Sequence, residues 1–238
     1  MNRFRINASF IPNLFTSMNM FCGFLSIINA STGNFNYAAW LIIIASIFDA
    51  LDGAVARLTH SSSKLGVELD SLSDVVSFGA APSFLVYSTS LHSIGTIGII
   101  ISSLLMLAGG FRLARFNVQL VGFSKNYFTG LPIPSSAITV AAFVLAYYKQ
   151  QGFDKPYSDF VIPLVLLLSF LMVSKIKYDT LPKISLKGLL EKPVHSVIIV
   201  AAIVLLIFTS YEGLFYIFVF NIIFGIFRSV YHWFSKTK

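Results

Sequence analysis

Apolar runs of about the length of a bilayer span recur along almost the whole chain, each closed by Pro, Gly, Asn or charged residues. The windows lie at approximately 12–32, 36–58, 67–89, 93–114, 131–149, 158–175, 194–211 and 213–233. A hydrocarbon core about 30 Å thick takes roughly 20 apolar residues per helix. The pattern therefore predicts an all-α, polytopic membrane helix bundle of about eight transmembrane helices. The third window carries Asp70 and Asp74 and is the least apolar, and the first is weakened by Asn13, Asn19 and Asn29. The residues before Pro12 include Arg3 and Arg5 and show no cleavage-site pattern, so they are expected to be retained at the membrane surface. No internal repeat of the transporter kind is visible.

Composition agrees. The 238 residues are 56% hydrophobic and only 11% charged, against about 25% charged in a soluble domain, which excludes a water-soluble globule. The 24 Phe and 10 Tyr exclude a disordered chain. Cys22 is the single cysteine, so no intramolecular disulfide or four-cysteine metal site can form. The net charge of +7 raises the question of nucleic acid, but the placement of Lys and Arg answers it. Fifteen of the 17 fall in alternate loops and at the two ends, and the other loops hold only Lys149 and Lys155. By the positive-inside rule this puts the N- and C-termini in the cytoplasm, in a multi-pass protein of the cytoplasmic (inner) membrane. The partners expected are membrane lipids and no nucleic acid.

Only ten acidic residues exist, and five of them, Asp49, Asp52, Glu68, Asp70 and Asp74, lie in one short stretch. Carboxylates inside membrane helices normally face a wet cavity, a cation or each other. Asp49 and Asp52 stand three apart near the end of span two, and Asp70 and Asp74 stand four apart near the start of span three. On a helix each pair shares a face. The two helices run antiparallel around the linker 58–65, so the four aspartates can meet at one depth, about 9 Å inside the helix ends. Converging carboxylates need cations, and all-oxygen ligation suits Mg²⁺ or Mn²⁺, with Ca²⁺ a competitor. Two neighbouring ions suit phosphoryl chemistry. Gly53, Ala56 and Gly66 leave room for a ligand against the backbone, and Arg57 offers a fork of donors to a phosphate. The same small residues also suit tight helix packing, and Arg57 also suits a topology anchor. A cation transporter could use four aspartates too, but its site is expected near the bilayer midplane on broken helices.

The run Asp49-Ala-Leu-Asp52-Gly53-Ala-Val-Ala56-Arg57, eight further residues, then Gly66-Val-Glu-Leu-Asp70-Ser-Leu-Ser-Asp74 resembles the signature of the CDP-alcohol phosphotransferase family at every defining position. The resemblance implies an integral membrane enzyme that joins an alcohol to the phosphatidyl group of a CDP-linked lipid and releases CMP. It implies that Asp49, Asp52, Asp70 and Asp74 hold two divalent ions, with Asp74 also the general base. Gly53, Ala56, Arg57 and Gly66 would lie along the CDP moiety, with Ser63 near the nucleotide. Pro12-Asn13-Leu-Phe-Thr16 resembles the family's entry to its first span, which would bring Asn13 and Thr16 to the cytidine. Read alone, the Pro-Asn pair is a helix start. The family also implies a homodimer. The catalytic core is expected in 1–150, with 151–238 supplying C-terminal helices that complete the bundle.

The signature does not name the acceptor. The stretches Gly110-Phe-Arg112-Leu-Ala-Arg115-Phe116-Asn117 and Gly130-Leu131-Pro132-Ile133-Pro134-Ser135, with the spacing of Asn19 and Gly23, resemble the branch of the family that uses L-serine. That implies CDP-diacylglycerol and L-serine as substrates. Arg112 or Arg115 could receive the serine carboxylate, and Asn117 could donate or accept beside it. An Arg pair at a helix end also serves as a topology anchor. A glycerol 3-phosphate acceptor, as in phosphatidylglycerophosphate synthesis, is the second reading, with Arg57, Lys64, Arg112, Arg115 and Lys125 available for its phosphate.

Overall fold

The computed structural model describes residues 10–59, 61, 63–120, 127–150, 152–179 and 211–229. Four helices among them are long and apolar enough to cross a membrane: α1 (Phe10–Ser31), α2 (Phe35–Leu58), α5 over Thr96–Val118 of its full extent Thr96–Leu120, and α8 (Tyr211–Ser229). Between α2 and α5 the chain continues through α3 (Lys64–Asp74), a π-helical segment (Val75–Ala80) and α4 (Ala81–Thr89). Two shorter apolar helices follow, α6 (Ile133–Tyr147) and α7 (Tyr157–Val173). At 15 residues α6 is only about 22 Å long. The window at 194–211 lies outside the described residues except for Tyr211.

The outward faces explain the solvent. On α1, Phe10, Ile11, Leu14, Met18, Phe21, Phe24 and Ile28 are exposed, while Pro12, Thr16, Asn19, Gly23, Ser26 and Ala30 are buried. The buried positions recur every three or four residues, so they form one stripe, and that stripe is small or polar. In water this arrangement would be inverted. In lipid it is favourable, because hydrocarbon solvates Phe and Ile while small residues let helix backbones approach. The protein is an integral membrane protein of the all-α class.

Helix α1 packs chiefly on α2, and α5 on α7. Ser26 donates to the Ala38 carbonyl at 2.8 Å, fastening the α1–α2 pair. The pair turns at Gly33, whose φ of 83° lets Gly33 N–H reach Ala30 O and Asn34 N–H reach Asn29 O at 2.9 Å. These two bonds satisfy carbonyls that the helix end would otherwise orphan. Small antiparallel ladders finish the loops: β1 (Tyr127–Thr129) pairs with β4 (Lys177–Asp179), and β2 (Tyr148–Lys149) with β3 (Gly152–Phe153). Lys149 and Asp154 form an exposed ion pair beside the second ladder.

Helix α3 starts at Ser63, whose extended backbone and side-chain oxygen, accepting from Gly66 N–H at 3.0 Å, make an N-cap. The regular helix gives way right after Asp74, and Ala81 N–H bonds to Val76 O, five residues back. Pro82 supplies the cause: it has no N–H to offer Phe78 O, and its ring crowds that carbonyl. Widened turns of this kind are frequent at functional sites.

Candidate active site

Two helices supply the carboxylates. Asp49 comes from α2, Asp70 and Asp74 from α3, and one carboxylate oxygen of each lies within 4.8 Å of the others. The sequence spacing predicted that these faces would converge, and they do. Carboxylates gathered this closely cannot all stay ionised without a cation or a shared proton among them. Asp70 Oδ1 is buried with no hydrogen-bond partner. An oxygen-only cluster containing a buried acceptor without a donor fits a hard divalent cation, which would be held by Asp49, Asp70 and Asp74.

Asp52, predicted as the fourth ligand, is outside that trio. It is 7% exposed, and its Oδ2 accepts a 2.8 Å hydrogen bond from Thr16 Oγ1 on α1. Arg57 is exposed and curls back along α2, its Nη1 standing 3.4 Å from where a Cβ on Gly53 would lie, and its charge acts on Asp52. Asn13 lies at the α3 N-terminus: a Cβ on Gly66 would be 3.3 Å from Asn13 Oδ1 and 3.1 Å from Ser63 Oγ. Asn13 thus joins the Ser63–Gly66 N-cap, some fifty residues on, in one small polar group. Ala56 is half-buried on the same helix.

The α5 residues divide. Arg112 is buried, at 6% exposure. Arg115 faces α7 instead, donating to Val173 O at 2.8 Å, Ser174 O at 3.3 Å and Met172 O at 3.4 Å. It is a cationic cap on the α7 C-terminus. Asn117 donates to Ser71 Oγ at 2.9 Å, tying the end of α5 to α3 one residue past Asp70.

Sequence reasoning assigned no role to three residues that organise this site. Asn19 is fully buried; its Nδ2 donates to Asp74 Oδ1 at 3.4 Å, and its Oδ1 has no partner. Ser73 and Ser77, one helical turn apart, donate to the main-chain oxygens of Thr16 at 3.0 Å and Asn19 at 2.8 Å. The contact is close because of Gly23, where a Cβ would stand 2.6 Å from Ser77 Cα. The available signal was the placement of Thr16, Asn19 and Gly23 on one stripe of α1. An amide oxygen left buried and unpaired costs about 1–3 kcal/mol.

Carboxylates from α2 and α3, gathered in a membrane protein, suit the handling of phosphate esters at a bilayer. The sequence model of the CDP-alcohol phosphatidyltransferase family matches residues 9–171, and the chain belongs to that family. It is 41% identical over 173 residues, 73% of each chain, to a CDP-diacylglycerol–serine O-phosphatidyltransferase of Helicobacter pylori. It is 42% identical over 171 residues, 71% of this chain and 69% of the other, to the archaetidylserine synthase of Methanothermobacter thermautotrophicus. A CDP-diacylglycerol–serine O-phosphatidyltransferase of Bacillus subtilis is 33% identical over 180 residues, covering 74% of this chain and 93% of its own.

Proposed function

We propose that the protein transfers the phosphatidyl group of CDP-diacylglycerol to the hydroxyl of L-serine, giving phosphatidylserine and CMP. The observation that carries the reading is the convergence of Asp49, Asp70 and Asp74. Relatives named for the serine reaction supply the acceptor. Asp74 takes the proton from the serine hydroxyl as its oxygen bonds to the phosphatidyl phosphorus and the bond to the CMP oxygen breaks. Asp49, Asp70 and Asp74, with Asp52 as the fourth carboxylate, would hold two ions, Mg²⁺ or Mn²⁺, which would supply charge neutralisation for phosphoryl transfer. Arg112 receives the serine carboxylate, and Arg115 and Asn117 fix the α5 end that carries it. Asn13, Thr16, Gly53, Ala56, Arg57, Ser63 and Gly66 form the CDP side of the site. Their support is the polar group at the α3 N-terminus.

The remaining architecture is proposed from the charge pattern: eight spans, both termini in the cytoplasm and the site at the cytoplasmic side of the inner membrane. Residues 1–150 form the catalytic core, and 151–238 complete the bundle of a homodimer. The test is CMP release by purified protein from CDP-diacylglycerol with Mg²⁺ or Mn²⁺, comparing L-serine, glycerol 3-phosphate, inositol 1-phosphate and choline, with a chelated control. CMP that depends on both serine and metal is expected. Release only with glycerol 3-phosphate would replace the acceptor and keep the aspartate site, and release that survives full chelation would remove the metal role.

A further inference from the structure

We infer that Asn19 is a positioning residue for Asp74, an assignment that rests on the reading of Asp74 as the base and a metal-holding carboxylate. Asn19 has no exposed surface, and its only side-chain hydrogen bond among the described residues is the one Nδ2 donates to Asp74 Oδ1. Its Oδ1 is buried with no partner. A side chain present only to pack α1 against α3 would meet both helices more favourably as a hydrocarbon, since an amide with one end unsatisfied is a net penalty in a dry interior. The amide therefore makes physical sense through what it does to Asp74. Its N–H holds one carboxylate oxygen, which fixes the plane of the carboxyl group and leaves the second oxygen directed by the cluster.

The backbone around Asn19 is built to hold that amide still. Ser77 donates to the Asn19 carbonyl at 2.8 Å, Ser73 donates to the Thr16 carbonyl at 3.0 Å, and the missing Cβ of Gly23 allows the π-helical segment to sit directly on α1. The segment begins one residue after Asp74, so the rigid contact and the carboxylate it serves are adjacent in the chain. Thr16 stands one turn earlier on the same α1 stripe and does for Asp52 what Asn19 does for Asp74, with a 2.8 Å bond. One face of α1 thus orients an aspartate from each of the two helices that build the cluster. Partners that orient a metal-holding carboxylate in this way are worth about 10–100-fold in affinity or activity when removed.

The experiment compares wild-type protein with Asn19→Leu, which removes the donor and nearly keeps the side-chain length, with Asn19→Ala as a second variant should Leu fail to fold, and with Asp74→Asn alongside. Three quantities are read in the same detergent: steady-state kinetics of CMP release, Mn²⁺ affinity by titration, and the thermal unfolding midpoint of the metal-free protein. For Asn19→Leu the expected result is a kcat about 10–100-fold lower, Mn²⁺ binding weakened about tenfold, KM for both substrates within about twofold, and an unfolding midpoint equal to or above wild type. A kcat and Mn²⁺ affinity within about twofold of wild type would overturn the assignment, as would a loss of activity that tracks a lowered midpoint in both variants. Full activity in Asp74→Asn would strike the underlying reading instead, so the two failures are separable.

Discussion

The two ends of this bundle are stabilised by opposite chemistry. Around α1, α2 and α3 the interior is small and polar, with Thr16, Asn19, Ser73 and Ser77 bonded to aspartates or backbone and two acceptors, Asn19 Oδ1 and Asp70 Oδ1, left unpaired. Around α6, α7 and α8 the interior is aromatic. The Phe143 ring lies 5.4 Å from Tyr147 and from Phe215 and 5.1 Å from Phe153, Tyr147 stacks on Tyr157 at 4.0 Å, and Tyr147 Oη donates to Tyr216 Oη at 3.1 Å. Ring contacts at these separations contribute packing energy beyond their area. The aromatic end is held by ring packing and the Tyr147–Tyr216 hydrogen bond; the aspartate end carries unmatched carboxylate and amide oxygens that suit a cation. Stability and function are thereby divided between regions that share α2 and α6 as a common wall.

The division can be broken most severely at the aspartates. Asp74→Asn is expected to lower CMP release by about 10²–10⁴-fold while leaving the unfolding midpoint unchanged or raised, because one like charge leaves a crowded cluster. Activity and melting measured on the same preparation check this, and a midpoint that fell with activity would erase the contrast. At the other end, Phe143→Ala is expected to lose about 3–5 kcal/mol of stability with KM for both substrates unchanged in protein still folded, read from denaturant unfolding and kinetics. Arg112 and Arg115 sharpen the boundary between the regions. Arg115→Ala should cost about 1.5–3 kcal/mol through the lost α7 cap and leave serine KM alone, whereas Arg112→Ala should raise serine KM and spare the CDP-lipid. A serine-KM effect at Arg115 and none at Arg112 would exchange their roles. The smallest effect is expected for Tyr216→Phe, about 1 kcal/mol or less, with kinetics identical to wild type.

Much of this was legible before any coordinates. The windows at 12–32 and 36–58 meet α1 and α2 within two residues at either end, because helix length in lipid is dictated by apolar run length and the stops at Gly33 and Asn34 are local chemistry. The spacing of Asp49, Asp52, Asp70 and Asp74 pointed to a convergence of carboxylates, and three of the four converge. The π-helical segment was not legible: Pro82 is only a hint, and the turn widens to satisfy both a missing donor and the close seat of Ser77 on Gly23. Arg112 and Arg115 read alike as sequence, three residues apart on one helix, and only the position of α7 sends Arg115 to a row of carbonyls while Arg112 lies buried.

What the sequence determined by itself was therefore the solvent, the helix class and the inventory of carboxylates, because each follows from the kind of residue and its distance along the chain. Which carboxylate stands with which was decided by the tertiary structure. Asp52 and Asp49 lie three residues apart on one helix, yet Thr16 holds the first while the second joins Asp70 and Asp74. The physical reason is that a hydrogen bond depends on where a third helix places its donors, and the stripe of α1 that supplies Thr16 and Asn19 reaches the aspartates only after α1 has packed against α2 and α3.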